Sequence, residues 1–524
     1  MAHDAEGLTR RRLLGGLAGG AVSGLLGQPL LANAPERSRF PQPRPAFRGA
    51  GGAGGAASLP RGPALEALLA RANLGGVSAF VALDARSGAL IEELNPDAPL
   101  PPASMAKAPT ALYALHRLGL EHRFQTQVLA RGGSISGGVL RGDLVLAGGG
   151  DPTLQTADLA ALADALVAMG LRRVEGRFLV DERALPAIAH IDAEQPVQAG
   201  YNPALSGLNL NYNRVHFAWA TSGGQLRLSM DARSNQEVPP VSIIRIEARD
   251  RSTPVYTHTL EPQREFWTVA RAALGNDGSR WLPVRRPGLY AGDVLRTLLA
   301  ARGCTLPAPQ SGGGGGGGGI GSIGGGGGTV LAERRSAGAR VMAREMLRFS
   351  TNITAECMGL AASRQGGGVG VGSLAQSGQA MGQWLAQRYG ASGLRFDDHS
   401  GLGDGSRVTP RAMARFFQAA HGEGLLPDIL RRHVMRDAQG REMSNHPVSV
   451  AAKTGTLNFV NALGGYARTP GGREIVFAIL CADLPRRSAI PPAQRDRPAG
   501  ASEWARRARS LQQALIERWA AMHG

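Results

Sequence analysis

Two lysines are the residues of this chain whose placement most strongly indicates chemistry. Among its 58 lysine and arginine residues, only Lys107 and Lys453 are lysines. Arginine stays protonated in proteins, whereas a lysine can lose its proton where its surroundings lower its pKa. Both lysines stand in short motifs, Ser104-x-x-Lys107 and Lys453-Thr454-Gly455. We therefore predict that both perform chemistry that a guanidinium group cannot perform.

The Ser104-x-x-Lys107 motif predicts an activated nucleophile. At a helix start, this spacing puts both side chains on one face, one turn apart. A serine hydroxyl is a weak nucleophile that needs a neighbouring base, and a lysine with a lowered pKa can be that base. The helix N-terminus would favour a developing oxyanion. Pro109 removes a hydrogen bond in the first turns, so we expect some distortion of the helix behind the nucleophile.

Two further motifs supply groups that suit a peptide substrate. In Ser350-Thr351-Asn352, a hydroxyl and an amide can relay a proton and hold a substrate backbone, although a helix N-cap is the alternative interpretation. In Lys453-Thr454-Gly455, an ammonium and a hydroxyl on an edge strand suit a terminal carboxylate, and the glycine lets a ligand backbone lie close. Each motif alone is a weak indication. The three in this order form a strong pattern.

The elements that must position these motifs are predicted at both ends of the chain. Alternating and apolar runs predict strands at Val77–Asp84 and Ile475–Cys481, and an amphipathic pattern predicts a helix over 501–522. A long region of short strands, turns and helices lies between them. We therefore predict one discontinuous domain that carries an inserted region.

The clearest punctuation of the inserted region is its glycine content. Glycine is concentrated near its end, and a polyglycine run cannot form a packed element. We therefore predict a flexible surface loop over 312–328.

The N-terminus has the pattern of an export signal. A twin-arginine start at 10–12 precedes an apolar stretch, and Ala32-Asn33-Ala34 has the small-x-small form of a cleavage site. We predict a signal peptide over 1–34, although Pro35 is unfavourable for that cut, and a disordered linker over 35–58. Without another apolar span of membrane length, the mature protein is expected to have no stable membrane span and to be periplasmic or secreted.

Composition argues against two other classes of function. The formal net charge is +17, but the arginines are scattered and no run of five or more consecutive basic residues occurs, so we predict no nucleic-acid partner. Such a surface is compatible with an anionic envelope polymer. The three cysteines have no metal-ligand spacing and no His-Glu-x-x-His sequence occurs, so no metal or cofactor is predicted.

With these motifs, the chain resembles the class C, low-molecular-mass penicillin-binding proteins, the D-alanyl-D-alanine carboxypeptidase/endopeptidase group of peptidase family S13. Four stretches carry the resemblance: 95–107 (Asn-Pro-Asp-Ala-Pro-Leu-Pro-Pro-Ala-Ser-Met-Ala-Lys), 148–154 (Gly-Gly-Gly-Asp-Pro-Thr-Leu), 350–356 (Ser-Thr-Asn-Ile-Thr-Ala-Glu), and 398–402 followed by 407–410. Ser104 and Ser350 are 246 residues apart, which is similar to the group's long insertion and unlike the closer motifs of β-lactamases.

The resemblance implies a fold and a set of residue roles. The fold would be α+β, the penicillin-binding-protein/β-lactamase-like transpeptidase fold with helices on an antiparallel sheet and a large mixed or β insertion. The resemblance implies that the insertion, one or more inserted domains, occupies about 129–334 and that the catalytic domain comprises 59–128 and 335–524. Ser104 would be the acylated nucleophile and Lys107 its base. Ser350 and Asn352 would pass the proton and position the substrate.

The third motif would bind the substrate's end. Lys453 and Thr454 would hold the terminal carboxylate beside Gly455, and the backbone N–H groups of Thr456 and Ser104 would form the oxyanion hole. His399 departs from the family, which usually has glycine there, and is assigned no catalytic role because nothing in the mechanism requires a histidine.

The resemblance implies a serine D,D-carboxypeptidase, with possible endopeptidase activity on D-alanyl cross-links. Its partners would be peptidoglycan stem peptides, with β-lactams as covalent inhibitors. Two alternatives stay open. A β-lactamase is disfavoured by the motif spacing, and a non-catalytic peptidoglycan-binding scaffold is disfavoured by the retained Lys107.

Overall fold

The computed structural model describes residues 63–234, 236–312, 328–365, 371–437 and 440–523. The predicted signal peptide and linker lie outside the described residues, as does the polyglycine segment between 313 and 327. These three expectations therefore stay predictions.

The described helices lie mostly in the first and last parts of this range. They are α1 Leu65–Ala72, α2 Lys107–Leu118, α3 Thr156–Ala168, α4 Pro287–Ala300, α5 Ala339–Phe349, α6 Asn352–Gln365, α7 Leu374–Tyr389, α8 Pro410–His421, α9 Leu425–Ile429, α10 Leu484–Ser488 and α11 Ala501–His523.

The described strands are most numerous in the middle of the chain. They are β1 Val77–Asp84, β2 Leu90–Leu94, β3 Gln125–Arg131, β4 Ile135–Ser136, β5 Val139–Leu140, β6 Asp143–Gly148, β7 Arg173–Val174, β8 Phe178–Asp181, β9 Arg214–Ser222, β10 Gln225–Asp231, β11 Ile244–Arg249, β12 Tyr256–Glu261, β13 Arg264–Ala270, β14 Asp277–Pro283, β15 Pro309–Ser311, β16 Thr329–Arg335, β17 Leu394–Arg395, β18 Arg407–Val408, β19 Arg432–His433, β20 Ser449–Leu457, β21 Val460–Arg468 and β22 Glu474–Ala482.

A six-stranded antiparallel sheet joins the two ends of the chain. Its order is β19-β20-β21-β22-β1-β2, so β22 near the C-terminus pairs along its length with β1. Helices α1 and α11 cover one face of this sheet. Helices α2, α5, α6, α7 and α8 form the main core on the other face. The prediction that strands from both ends build one discontinuous unit is consistent with this pairing.

A second hydrophobic core is formed by residues from 128 to 332 alone. Helices α3 and α4 pack there on a mixed sheet of order β15-β8-β6-β3-β16, beside two three-stranded sheets, β10-β9-β14 and β11-β13-β12. The predicted insertion limits fall inside β3 and β16, which pair with each other. We therefore use the term inserted region for residues 125–335, both strands included. Its separate core supports the predicted domain organisation, which we keep as a proposal.

The start of the nucleophile helix differs from the prediction. Ala103–Ala106 forms a 3₁₀ turn, and the α-helix begins only at Lys107. Pro109 is the third residue of α2, in the first turn, where helix N–H groups have no partner four residues before them within the α-helix. Its missing N–H is therefore tolerated. A distortion was expected behind the nucleophile, and the structure has an irregular turn, the 3₁₀ turn, at Ser104 itself.

Candidate active site

The ammonium of Lys107 is the centre of the candidate site. Its Nζ donates to Ser104 Oγ, to Asn352 Oδ1 and to the backbone carbonyl of Ser400, each over 2.8 Å. A lysine ammonium has three N–H donors, so these contacts satisfy it completely. The first two predicted motifs, which are far apart in the sequence, are therefore joined at one atom.

Burial tunes Lys107 for proton transfer. The side chain has no exposed surface, and desolvation lowers its pKa to about 7, against the opposing influence of Glu356 and Asp398. A substantial fraction of the amine is thus neutral near pH 7. Because Ser104 Oγ lies within hydrogen-bonding distance and is half-buried, Lys107 is placed to accept its proton.

A buried wall behind Lys107 is built around a carboxylate that no motif assigned. The two oxygens of Glu356 accept the backbone N–H groups of His399 and Ser400, each over 2.9 Å. Asp398 accepts two more backbone N–H groups of the same loop. Desolvation raises the pKa of both carboxyl groups. Glu356 thereby fixes the His399–Ser400 peptide unit. The next carbonyl group, that of Ser400, accepts the hydrogen bond from Lys107.

Lys453 stands on the other side of the site. Its Nζ donates to Ser350 Oγ over 3.0 Å and to the Thr454 carbonyl over 2.7 Å. Desolvation first, then the positive charges of Lys107 and Arg431, hold its pKa well below the usual value. The side chain is 2% exposed. Ser350 therefore links the Lys453 motif to the rest of the site.

The turn between α5 and α6 presents the second motif. Helix α5 ends at Ser350, which has φ 59° and ψ 36°, and α6 begins at Asn352. A left-handed conformation is uncommon for serine and is often found at functional sites. The N-cap alternative assigned to this motif does not describe Ser350, which is the residue that closes α5.

Strand β20 forms one side of the site with an open edge. Its backbone pairs with β19 only at 450 and 451, and the Ala452 N–H donates to the Arg431 carbonyl. Since N–H directions alternate along a strand, the N–H groups of Thr454 and Thr456 point to the same edge. Among the described residues no backbone group pairs with them there. The backbone N–H of Thr456, the predicted oxyanion donor, is thus free to donate a hydrogen bond to a ligand.

Gly455 lets this strand approach the nucleophile turn. A Cβ atom at this position would lie 2.6 Å from the carbonyl oxygen of Pro102 and 3.0 Å from the Met105 nitrogen. A side chain would therefore push β20 away from the turn that carries Ser104. Gly455 was predicted to let a ligand backbone lie close. In the structure, the nearest atom that a side chain at this position would meet belongs to the protein's own backbone.

His399 is a packed, neutral residue. Desolvation lowers its pKa to about 3, and its Nε2 lies 2.6 Å from Ser377 Oγ. The ring occupies space made by Gly359 of α6, where a Cβ atom would lie 2.2 Å from the ring. The ring has no hydrogen bond to Ser104 or Lys107. It therefore packs behind the site, consistent with the absence of a predicted catalytic role.

The structure brings together every residue that the sequence singled out. Ser104, Lys107 and Asn352 meet at one ammonium, Ser350 contacts Lys453, and the rest of the third motif runs along the open edge of β20. Sequence reasoning missed the contributions of Glu356 and of the Ser400 carbonyl. A charged residue within an apolar stretch of α6 was the signal for Glu356, whereas a backbone carbonyl has no residue-type signal.

Other features of the described residues bear on the sequence predictions. The three cysteines are buried free thiols. Within the described ranges, no group of His, Cys, Asp and Glu could hold a metal ion. None of the described helices has the length and apolar character needed to cross a membrane.

Comparison with known proteins identifies the family. The model of the D-Ala-D-Ala carboxypeptidase 3 (S13) family matches residues 63–507. The chain is also 26% identical over 456 residues to a D-alanyl-D-alanine carboxypeptidase of an Actinomadura species, covering 80% of this chain and 78% of that one. Carboxypeptidase DacB of Mycolicibacterium smegmatis is 26% identical over 448 residues, with the same coverage.

The fold has a close counterpart among solved structures. Penicillin binding protein 4 of Haemophilus influenzae superposes with a TM-score of 0.65 at 17% identity, over 88% of this chain and 98% of that chain. The predicted fold class is therefore confirmed. The chain belongs to the D-Ala-D-Ala carboxypeptidase 3 (S13) family, as the resemblance predicted, and it is a serine peptidase.

Proposed function

For a member of this family, we propose that the protein removes the terminal D-alanine from peptidoglycan stem peptides through an acyl-enzyme on Ser104. The contact between Lys107 Nζ and Ser104 Oγ carries the proposal. It pairs a weak nucleophile with a buried amine whose pKa is about 7. This is the arrangement that makes a serine reactive near neutral pH.

The acylation step uses the groups around Lys107. As Ser104 Oγ attacks the penultimate D-alanine carbonyl, its proton passes to Lys107. The peptide C–N bond then breaks, and the leaving D-alanine amine takes a proton delivered through Ser350. Water hydrolyses the resulting ester, with Lys107 as base again. Asn352 holds the substrate backbone through the amide that also contacts Lys107.

The substrate's charged groups would be met by β20. Lys453 and Thr454 bind the terminal carboxylate, which supplies the negative charge that buried Lys453 lacks. The tetrahedral oxyanion is bound by the backbone N–H groups of Ser104 and Thr456. Both threonines are exposed on the strand, so a ligand can reach them.

The same site accounts for the other expected partners. A solved complex of the Haemophilus influenzae relative contains a β-lactam, and a β-lactam would acylate Ser104 here and leave slowly. An endopeptidase reaction on D-alanyl cross-links needs the same groups, with a larger amine leaving. The pattern of residues 1–34 supports export, and we propose a periplasmic or secreted enzyme.

One experiment separates the proposal from its alternatives. The intact mass of the purified protein is measured after incubation with benzylpenicillin, and the adduct is mapped to a peptide. We expect a long-lived adduct on Ser104 that is absent in Ser104→Ala. No adduct with hydrolysed drug would instead indicate a β-lactamase. No adduct with intact drug would indicate a scaffold.

The carboxypeptidase step is tested by D-alanine release from a pentapeptide ending in D-Ala-D-Ala. Release by the parent protein and loss of release in Ser104→Ala are expected. Release that persists in Ser104→Ala would refute the acyl-enzyme route.

A further inference from the structure

The inserted region contacts the catalytic centre through one backbone carbonyl. Asn352 Nδ2 donates to the carbonyl oxygen of Tyr201 over 2.9 Å. Tyr201 belongs to the inserted region, whereas Asn352 begins α6 and accepts from Lys107. Nearby, Leu185, Ile191 and Leu205 of the inserted region pack into the main core.

The chemistry of its two neighbours fixes the orientation of the Asn352 amide. In its protonated form Lys107 can only donate a hydrogen bond, so the amide oxygen faces it. A backbone carbonyl can only accept, so the amide nitrogen must face Tyr201. Turned by half a rotation, Asn352 would place N–H groups against an ammonium and an oxygen against a carbonyl. The second N–H has no acceptor among the described residues and is left for a ligand.

The Tyr201 carbonyl is itself held by the residue that follows it. Asn202 is buried, and its Oδ1 accepts the backbone N–H groups of Ile191 and Asp192 over 2.9 and 3.0 Å. Its Nδ2 donates to the Asp192 carbonyl over 2.8 Å. These three bonds close the loop from 191 to 202, so the peptide unit of Tyr201 cannot turn freely.

Arg285 ties this loop to the body of the inserted region. Its guanidinium donates to the carbonyls of Asn202 over 2.8 Å, Ala189 over 3.1 Å and Val197 over 3.2 Å. Its own backbone N–H donates to Glu265 of β13 over 2.9 Å. The position of Tyr201 is therefore set by the fold of the inserted region.

We propose that the inserted region is part of the catalytic centre, with Asn202 and Arg285 as positioning residues that hold the Tyr201 carbonyl against the Asn352 amide. The proposal rests on the function proposed above and adds a role for the inserted region. If that carbonyl moves, the Asn352 amide loses one of the two partners that orient it. The amide oxygen would then no longer be held towards Lys107, and the second N–H would no longer be held towards the ligand. Small misplacements of this kind can strongly lower a reaction rate.

A double-mutant cycle tests the proposal. The second-order rate of Ser104 acylation by benzylpenicillin is measured for the parent protein, Arg285→Met, Asn352→Ala and the double variant. Arg285→Met should lower the rate about tenfold in the parent and have no further effect in Asn352→Ala, because residues that act through one another are not additive. An equal loss in both backgrounds would overturn the proposal.

Two further variants make the result specific. Arg302→Met removes an arginine of similar type that binds Asp164 and the Leu298 carbonyl within the inserted region, and it should leave the acylation rate unchanged. Arg285→Lys, which keeps a donor, should recover part of the loss and replaces Arg285→Met if that variant does not fold. A folded Arg285 variant with the parent rate would also refute the proposal.

The failure of the proposed function would look different. In that case Ser104 would not be acylated in the parent protein, or Asn352→Ala would acylate at the parent rate. The present proposal fails only if both of those results are as expected and the Arg285 effect is absent or independent of Asn352.

Discussion

The two buried lysines of the site have opposite surroundings. Lys107 has three acceptors for its three N–H groups, and two carboxyl groups, Glu356 and Asp398, act on its charge. Lys453 has two acceptors among the described residues, and the charges that act on it, Lys107 and Arg431, are positive. The three hydrogen bonds of Lys107 are therefore all made without substrate. Among the described residues, the charged groups that shift the pKa of Lys453 include no negative one.

The two lysines are therefore suited to two different tasks, accepting a proton and binding a carboxylate. A base must exchange a proton, so its charged and neutral forms should be close in free energy, as a pKa of about 7 implies for Lys107. A carboxylate-binding group must keep its charge once the ligand is present. A bound carboxylate would favour the charged form of Lys453, against the desolvation that lowers its pKa. Exchanging each lysine for arginine tests this comparison directly.

Lys107→Arg should give the largest effect. Arginine keeps the positive charge but cannot serve as a base near neutral pH, and general-base catalysis is worth about 10²- to 10⁴-fold. We expect acylation by benzylpenicillin to fall by about 10³-fold, measured as the rate of adduct formation. Thermal unfolding close to that of the parent is the control. A loss of less than about tenfold would mean that Lys107 is not the base.

Lys453→Arg should have a milder effect that falls on substrate binding. A guanidinium also binds carboxylate, so kcat/KM for a D-Ala-D-Ala peptide should fall only about tenfold, mainly through KM. The charged form of Lys453 is lost as pH rises through its lowered pKa, whereas arginine stays charged. The alkaline loss of kcat/KM expected for the parent should therefore move to higher pH in the variant. An unchanged alkaline limb would contradict this account.

Glu356→Gln should change the pH profile more than the maximal rate. The negative charge of Glu356 raises the pKa of Lys107, so its removal should lower that pKa. Because the base is the neutral amine, present above its pKa, the acidic limb of the acylation rate should move to lower pH by about half a unit. The plateau should fall a few-fold because the new amide would offer one acceptor oxygen where the carboxylate offers two. An unmoved acidic limb would show that Glu356 is protonated over the working range.

Gly359→Ala should have the smallest effect on activity and should be confined to the side of the site around Lys107. The new methyl group would collide with the His399 ring, and overpacking typically costs about 1–3 kcal/mol of stability. Acylation should fall only a few-fold, with KM for the peptide unchanged. In a His399→Gly background, the same substitution should cost less than about 1 kcal/mol in thermal unfolding. An equal cost in both backgrounds would exclude the collision as its cause.

The sequence predicted the side chains that meet at the candidate site but not the backbone groups that hold them. Ser104, Lys107, Ser350, Asn352 and Lys453 could be found because their chemistry depends on residue type and order. The Ser400 and Tyr201 carbonyls could not, since any residue offers the same carbonyl. Their placement depends on loops that meet α2 and α6 from distant parts of the chain. The 3₁₀ turn at Ser104 was not predicted either, because the spacing of Ser104 and Lys107 alone indicates the start of an α-helix.

The fold was predicted at the level of its elements. Strands at both ends of the chain and a large insertion could be inferred from hydrophobic patterns. The strands at its two limits could not, because β3 and β16 look like ordinary strands, and their pairing with each other and of β3 with β6 assigns them to the inserted sheet.

The open edge of β20 has a consequence for how the protein meets other chains. Unpaired strand edges ordinarily invite association between copies of a protein, and proteins usually cover or interrupt them. Here β19 covers the edge at 450 and 451. Within the part of the chain that the structure describes, no strand pairs with this edge from Lys453 to Leu457, beside the turn of Ser104. An extended peptide that pairs there continues the outermost row of the sheet in line with β19. A substrate bound in this way would act as the strand segment that extends this row beyond β19.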